Sequence, residues 1–196
     1  MIKKTSPCLL IMRGLSGSGK SYLAAQLAKL FSATHFNSDI IRKQLAGYAP
    51  LTRTKSDLGA GIYTPQMSYK TYKALLTKAE SVLRSGQSVV VDATFLHPKS
   101  LEKQQQLAQK LAIPFVIIDL QVSMTCLRQR VAQRFLRADD PSEADVAVLE
   151  QQAIHYQPLN ASKTILIIHN NDKHNVEINR IKIQLIDLIR HQRNAL

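Results

Sequence analysis

Eight consecutive residues near the start of the chain have the types and the spacing needed to bind a polyphosphate. They are Gly14, Leu15, Ser16, Gly17, Ser18, Gly19, Lys20 and Ser21, and they fit the pattern G-x-x-x-x-G-K-[ST]. Glycines let successive backbone N–H groups turn towards one anion, and a helix that begins at the end of such a loop presents its positive end to the same anion. In this pattern the lysine binds the β- and γ-phosphates, and the last hydroxyl is a magnesium ligand. Because an apolar run precedes the loop and a helical pattern follows it, we expect a nucleotide site with catalytic Lys20 and metal-binding Ser21 rather than a plain turn.

A second acidic position follows another apolar run. Residues 88–91 are a serine followed by three valines, Asp92 ends this run, and Thr94 lies two residues further on. In nucleotide-binding sheets a carboxylate at the end of such a strand lies near the phosphate loop and holds magnesium, usually through water. We therefore expect Asp92 to be a metal ligand, although an aspartate that only caps the next loop is a common alternative. Asp119 also ends an apolar run and receives no role.

Asp39 and Arg42 are candidates for the acceptor side of a phosphoryl transfer. They are three residues apart, so a helix places them on one face. Asp39 could accept or orient a hydroxyl proton, and Arg42 could bind an acceptor anion or the transferring group. The residues alone favour equally a simpler interpretation, in which Asp39 stabilises the helix N-terminus and pairs with Lys43.

Clustered arginines predict a movable lid at about residues 124–145. Arg130, Arg134 and Arg137 share one helical face, and Leu127, Val131 and Phe135 share another, apolar face. Guanidinium groups held over a phosphate stabilise the charge of the transferring γ-phosphoryl group. A polar break at residues 137–142 would form the tip of the lid, and Ser142 with Asp145 resembles a capping box for the next helix. A solvated basic face is the alternative.

Short apolar runs alternate with longer amphipathic stretches along the whole chain. The pattern predicts strands at 8–12, 34–37, 88–92, 114–118 and 165–168. It predicts helices at 21–31, 39–46 after an N-cap at Ser38, 65–84, 98–112, 123–136, 143–156 and 175–193, with a loop at 48–64. Continuously apolar strands between helices are typical of a parallel sheet covered on both faces, so the fold class is α/β. Without a repeat or a linker, residues 1–196 are expected to form a single domain.

Composition narrows the class of partner. Lys and Arg number 26 against 14 Asp and Glu, which gives a net charge of +12 and favours anionic partners, nucleic acid among them. No apolar run approaches the roughly 20 residues of a membrane span, so no membrane partner is expected. We expect Cys8 and Cys126 to be buried free thiols in a reducing cytoplasm.

In their order along the chain, these motifs resemble the predicted P-loop kinases grouped with the zeta toxins and the polynucleotide 5′-hydroxyl kinases. The resemblance rests on the loop 14–21, Ser38-Asp39 with Arg42, the segment 91–95, Arg130 with Arg134, and the segment 141–145 with Gln151. It implies a P-loop NTPase fold of the kinase type, a five-stranded parallel sheet with the phosphate-loop strand in the middle, ATP as donor and Mg²⁺ as cofactor.

The resemblance also implies roles for individual residues. Asp39 takes the position of the catalytic base, Arg42 that of the acceptor-side arginine, and Arg130 and Arg134 those of the catalytic lid arginines. Asp39, Arg42, Asp92 and Thr94 are then the expected substrate-binding residues. The segment His97-Pro98-Lys99 departs from the basic run that relatives often carry there.

Three functions follow from these residues. The first is an ATP-dependent kinase acting on a hydroxyl of a small molecule, such as a sugar or a nucleotide-sugar. The second is a polynucleotide 5′-hydroxyl kinase, which would use the net charge and would need base-stacking aromatics; the tyrosines at 48, 63, 69 and 72 are candidates, although helical spacing places Tyr69 and Tyr72 in the core. The third is a non-catalytic, nucleotide-dependent switch. The first is preferred, and the sequence predicts neither the acceptor nor the oligomeric state.

Overall fold

A five-stranded sheet with helices on both faces forms the centre of the protein. The structure, a computed structural model, describes residues 7–54, 56, 60–137, 140–171 and 177–195, and of Arg137 only the backbone. The strands are β1 (Leu9–Arg13), β2 (Thr34–Asn37), β3 (Val89–Asp92), β4 (Phe115–Gln121) and β5 (Ile165–His169). The helices are α1 (Lys20–Leu30), α2 (Ser38–Leu45), α3 (Pro65–Arg84), α4 (Pro98–Lys110), α5 (Met124–Arg137), α6 (Val146–His155) and α7 (Ile178–Arg193), with a short 3₁₀ helix at Gly61–Tyr63.

The strands run parallel in the order β2-β3-β1-β4-β5. The strand that leads into the phosphate-loop motif, β1, is therefore central, with Leu9 opposite Val89 of β3 on one side and Phe115 of β4 on the other. All loops that follow the strands meet at one edge, which is where ligands bind in open parallel sheets. The predicted fold class is confirmed.

The three central strands, β1, β3 and β4, bury both of their faces, which explains their continuous apolar runs. The edge strands β2 and β5 are mostly half-buried. Alternate residues of β1 point to opposite sides: Leu9 and Ile11 pack in the cluster that α3 and α4 cover, and Leu10 and Met12 pack in the cluster that α1 and α7 cover. A third, smaller cluster joins Leu15 of the phosphate loop to α5 and α6. The loop is therefore packed against the segment that carries the arginines.

Two predicted helix starts are wrong, and in both cases a better acceptor is nearby. Helix α2 is capped by Asn37, whose side-chain oxygen accepts hydrogen bonds from the N–H groups of Asp39 and Ile40, so Ser38 is already helical. Helix α6 begins at Val146, because Asp145 caps it by accepting from the N–H of Val148. Ser142 is therefore not the N-cap, and the predicted capping box is not formed.

Three side chains predicted to be buried are not. Phe135 and Tyr69 are largely exposed, and each ring carries a cation on one face, from Arg53 and Lys103 respectively. Cys126 is half-buried and its thiol donates to the carbonyl of Asn171, whereas Cys8 is buried and free as expected. Over the described ranges, none of the helices combines the length and the apolar character that crossing a bilayer requires.

Candidate phosphoryl-transfer site

The phosphate loop connects β1 to α1 in a conformation that depends on its glycines. Gly17 and Gly19 have φ of 83° and 93°, in the region that L side chains rarely adopt. A Cβ at Gly17 would lie 2.9 Å from Cγ2 of Val131, and a Cβ at Gly19 would lie 2.7 Å from Nδ2 of Asn170. Because Gly19 is the N-cap of α1, the backbone N–H groups of the loop lie beside the positive N-terminal end of that helix, where both can face one anion.

Neighbouring elements hold the loop in place from both sides. Asn170, which follows β5, donates to the carbonyl of Ser18 at 2.8 Å, and the side-chain oxygen of Gln152 on α6 accepts from the N–H of Ser16 at 3.0 Å. Lys20 is buried, and its Nζ donates to the carbonyl of Leu15 at 2.8 Å. Burial lowers the pKa of Lys20, while the nearby carboxylates of Asp92 and Asp39 act in the opposite direction.

The predicted metal ligands lie together at the end of β3. The amide nitrogen of Asn37 donates to Asp92 at 2.7 Å and to the hydroxyl of Ser21 at 3.3 Å, and His35 lies 3.5 Å from the same carboxylate. Burial acts to raise the pKa of Asp92, but His35, Lys20 and Ser21 outweigh it and hold that pKa below its usual value. An ionised carboxylate beside one hydroxyl is a donor set that fits Mg²⁺, which keeps several waters and binds substrate phosphates as well.

Asp39 and Arg42 face the phosphate loop from the acceptor side. Asp39 lies in the first turn of α2, half-buried, and lines the same cavity as Lys20. Burial raises the pKa of Asp39, against the lowering effects of Arg42 and of the Ser142 hydroxyl. Arg42 is buried; its Nη1 donates to the carbonyl of Ile62 and to Ser68, and its guanidinium lies 5.1 Å from the ring centroid of Tyr63.

Two of the clustered arginines reach the cavity, and one turns away. Arg130 and Arg134 line it from α5 and donate to the carbonyls of Asn171 and Ala144 at 3.2 and 2.9 Å. Arg128 instead forms an exposed ion pair with Glu150 at 2.6 Å. The side chain of Arg137, predicted on the same face as Arg130, lies outside the described residues.

One cavity of about 480 Å³ brings these groups together at the carboxyl edge of the sheet. Its lining includes most of the residues singled out in the sequence: Ser16, Gly17, Gly19, Lys20, Ser21, Asp39, Arg42, Asp92, Thr94, Arg130 and Arg134. The remaining loop residues support it from behind: Ser18 is buried, Leu15 packs against α5 and α6, and the N–H of Gly14 lies 3.4 Å from the carbonyl of Thr94.

Sequence reasoning did not predict the contacts of several cavity residues, among them Asn37, Gln152 and Tyr63, of which Tyr63 was considered only for base stacking. Asn37 links the helix cap to Asp92, Gln152 contacts the phosphate loop, and Tyr63 stacks on Arg42. Only Asn37 carried a signal, since an asparagine directly before a helical run is a preferred N-cap. The other two are brought in by tertiary packing.

Comparison with solved structures gives the same architecture. A candidate kinase of Chloroflexus aurantiacus is similar over 94% of this chain and 99% of its own, with a TM-score of 0.73 and 19% identity. A gluconokinase of Sinorhizobium meliloti is similar over 96% and 95%, with a TM-score of 0.63 and 18% identity. The APS kinase CysC of Mycobacterium tuberculosis, solved with AMPPNP and APS, is similar over 94% and 98%, with a TM-score of 0.63 and 16% identity. At these identities the likeness establishes the kinase-type P-loop fold.

Sequence comparison finds relatives that are themselves uncharacterized. The proteins Rv2004c of Mycobacterium tuberculosis and Mb2027c of Mycobacterium bovis are each 27% identical over 146 residues, which cover 74% of this chain. The chain spans only 29% of the length of these curated relatives. Residues 9–159, which include the whole of the cavity lining, match the AAA_33 family, described as an AAA domain. The chain belongs to that family.

Proposed function

We propose that this protein is an ATP-dependent kinase that transfers the γ-phosphoryl group to a hydroxyl of a small-molecule acceptor. The observation that carries the proposal is that the phosphate loop, the carboxylate of Asp39 and the guanidinium groups of Arg130 and Arg134 all line one cavity. A phosphate loop alone binds nucleotide, but a carboxylate opposite the loop and cations above it are the parts that phosphoryl transfer requires. The chemistry of the site thus extends beyond nucleotide binding.

In this mechanism the backbone N–H groups of residues 14–21 and Lys20 bind the triphosphate. Magnesium, held by Ser21 and Asp92, would neutralise charge on the β- and γ-phosphates. Asp39 accepts the proton of the acceptor hydroxyl, whose oxygen forms a bond to the γ-phosphorus while the bond from that phosphorus to the β–γ bridging oxygen breaks, leaving ADP. A raised pKa suits Asp39 for this role, because a general base works best when its pKa approaches the operating pH.

Three of the four tyrosines considered for base stacking have a ring that another side chain contacts, which supports a small acceptor over a polynucleotide end; Tyr48, and Tyr22 in the cavity lining, are exposed. Stacking of bases needs an open ring face. The ring of Tyr63 is covered by Arg42 and that of Tyr69 by Lys103, and Tyr72 packs edge-on against Phe95 with its hydroxyl 3.3 Å from Thr94. The net charge of +12 favours the polynucleotide alternative, which salt-sensitive phosphorylation of a 5′-hydroxyl oligonucleotide would establish.

The finer relationship to the zeta toxins and polynucleotide kinases, with residues 1–196 as a single domain, is part of the same proposal. Its support is the order of the motifs along the chain together with the placement of Asp39 and Arg42 on one helix. Gluconokinase and APS kinase, as similar structures, are consistent with a small acceptor.

Replacing Asp39 tests the proposal. In Asp39→Asn we expect kcat for transfer to fall by about 10²–10⁴-fold, because the acceptor loses its base, while ATP affinity stays unchanged. Transfer of label from γ-labelled ATP to a panel of sugars, nucleotide-sugars and oligonucleotides measures the first, and calorimetry with a non-hydrolysable analogue measures the second. Glu80→Gln is the matched control, since Glu80 pairs with Arg84 on α3, outside the cavity lining. Transfer at the wild-type rate in Asp39→Asn would show that the acceptor-side assignment is wrong.

A further inference from the structure

A buried ion pair connects helix α2 to the turn between α5 and α6. Nζ of Lys43 lies 3.1 Å from Oε1 of Glu143, and the two side chains are only 1% and 10% exposed. Lys43 also donates to the carbonyl of Pro50 at 3.1 Å. A charged pair this far from water costs desolvation energy that a pair of apolar residues would not, so stability alone does not explain it.

The loop after α2 also donates hydrogen bonds to Glu143. The N–H and the hydroxyl of Thr54 donate to Oε2 of Glu143 at 2.9 and 3.2 Å. Beside it, the guanidinium of Arg53 lies 4.9 Å from the ring centroid of Phe135 near the end of α5 and donates to the carbonyl of that residue. Burial acts to raise the pKa of Glu143, but Thr54 and Lys43 outweigh it, so the pKa lies below the usual value and the group is ionised at neutral pH.

The spacing of these residues links the ion pair to Asp39. Asp39 and Lys43 are four apart on α2 and therefore share a face. They face consecutive residues of the opposing turn, because Ser142 lines the same cavity as Asp39 and Glu143 is the partner of Lys43. The turn is stiffened internally, since Asp140 accepts from the N–H of Ser142 at 2.8 Å. Fixing Glu143 thus fixes the position of Ser142 over Asp39.

We propose that Lys43 and Glu143 are positioning residues whose ion pair clasps residues 140–145, the lid turn, onto the acceptor-side helix. The proposal rests on the kinase function argued above and deepens it. When the clasp is formed, the lid turn covers Asp39 and keeps water from competing with the acceptor hydroxyl for the γ-phosphoryl group. When it opens, water reaches the same phosphorus, and hydrolysis of ATP competes with transfer.

Hydrogen exchange tests the clasp itself, without reference to activity. In the full chain, Lys43→Met and Glu143→Ala should each raise the exchange rate of peptides covering residues 48–54 and 140–145 by tenfold or more, about 1.4 kcal/mol of lost protection, with β1 and β3 unchanged. The double variant should be no faster than either single one, because both break the same contact. It also removes the unpaired buried charge, so it remains folded if a single variant does not.

Glu150→Gln, in the exposed pair with Arg128 between α5 and α6, is the control and should exchange like the wild type. Wild-type exchange in all variants would overturn the clasp.

Activity tests the positioning role separately. In Lys43→Met and Glu143→Ala we expect kcat for transfer to fall by about ten- to a hundredfold and the ratio of ATP hydrolysis to transfer to rise, while ATP affinity is unchanged, since neither residue lines the phosphate loop. Faster exchange with a wild-type hydrolysis-to-transfer ratio would overturn the positioning role. If wild-type protein transfers phosphate to no acceptor, the proposed function fails, and the exchange data still decide whether the clasp exists.

Discussion

At the scale of single residues, the site contains a carboxylate in a position where burial favours the neutral form of the group. Asp39 is half-buried, and burial raises its pKa above the usual aspartate value despite the nearby Arg42. A substitution that removes its charge is therefore expected to stabilise the protein, and the proposed role as a general base explains why a carboxylate is present. Function and stability therefore make opposite demands on this one side chain.

That conflict gives a pH-dependent prediction. An acid whose pKa is higher in the folded state binds its proton more tightly there, so its contribution favours folding at low pH and is lost as the pH rises through the raised pKa. Asp39→Asn, which cannot ionise, should have a higher Tm than the wild type at neutral pH. The difference should shrink as the pH approaches the usual aspartate pKa of about 4. Thermal unfolding across this range measures it, and a variant less stable than the wild type at neutral pH would contradict the raised pKa.

At the scale of elements, a buried network fixes the end of α6 to the sheet. Asp119 on β4 accepts from Arg13 of β1 at 2.7 Å, and from the hydroxyl of Tyr156 and the N–H of Leu159 at 3.2 Å each. Arg13 and Asp119 are 3% and 0% exposed, so water does not solvate either charge. The acid that sequence reasoning left without a role is thus the anchor for the chain segment leaving α6, the helix that carries Gln152 to the phosphate loop.

Removing this anchor should destabilise the whole protein. In Asp119→Ala, Arg13 remains a buried charge that has lost its carboxylate partner and keeps only its hydrogen bonds to the carbonyls of Phe95 and Gln157. We expect a loss of about 3–5 kcal/mol in the free energy of unfolding. Urea denaturation measures it. The double variant Arg13→Met with Asp119→Leu should recover much of the loss, because no charge is then left unpaired. A loss in Asp119→Ala of only about 1 kcal/mol, the ordinary value for a surface pair, would mean that Arg13 finds other compensation.

Elements also show where local sequence is a sufficient guide and where it is not. Helix α3 spans Pro65–Arg84 as its apolar spacing predicts. The central strands β1, β3 and β4 lie where the apolar runs lie, because a strand buried on both faces is mostly apolar. Helix starts were less predictable, since Asn37 and Asp145 each offer a cap that competes with a neighbouring serine. Phe135 is exposed and packs against Arg53, which is 82 residues away in the chain, and no local pattern contains that contact.

At the scale of the whole molecule, parallel topology converts separate motifs into one site. Strands β1, β3 and β4 lie side by side and end at the same edge, so the phosphate loop, Asp92 and the start of the arginine-bearing segment converge there without any direct sequence signal for contact. The loop motif and Asp92 could be predicted from residue type and position. The proposed roles of Asp39 and Arg42 rest on the family resemblance, and the contacts of Gln152, of Tyr63 and of the Lys43–Glu143 pair are found only in the packed structure.

The central claim is that residues 14–21 bind a nucleoside triphosphate next to a separate acceptor-side carboxylate. Isothermal titration calorimetry with magnesium and a non-hydrolysable ATP analogue tests it most directly, on the wild type, Lys20→Ala and Asp39→Asn. We expect binding by the wild type, binding of equal affinity by Asp39→Asn, and an affinity at least about tenfold weaker in Lys20→Ala, because the lysine supplies the charge on the β- and γ-phosphates. Absence of binding by the wild type, or equal binding by Lys20→Ala, would contradict the account.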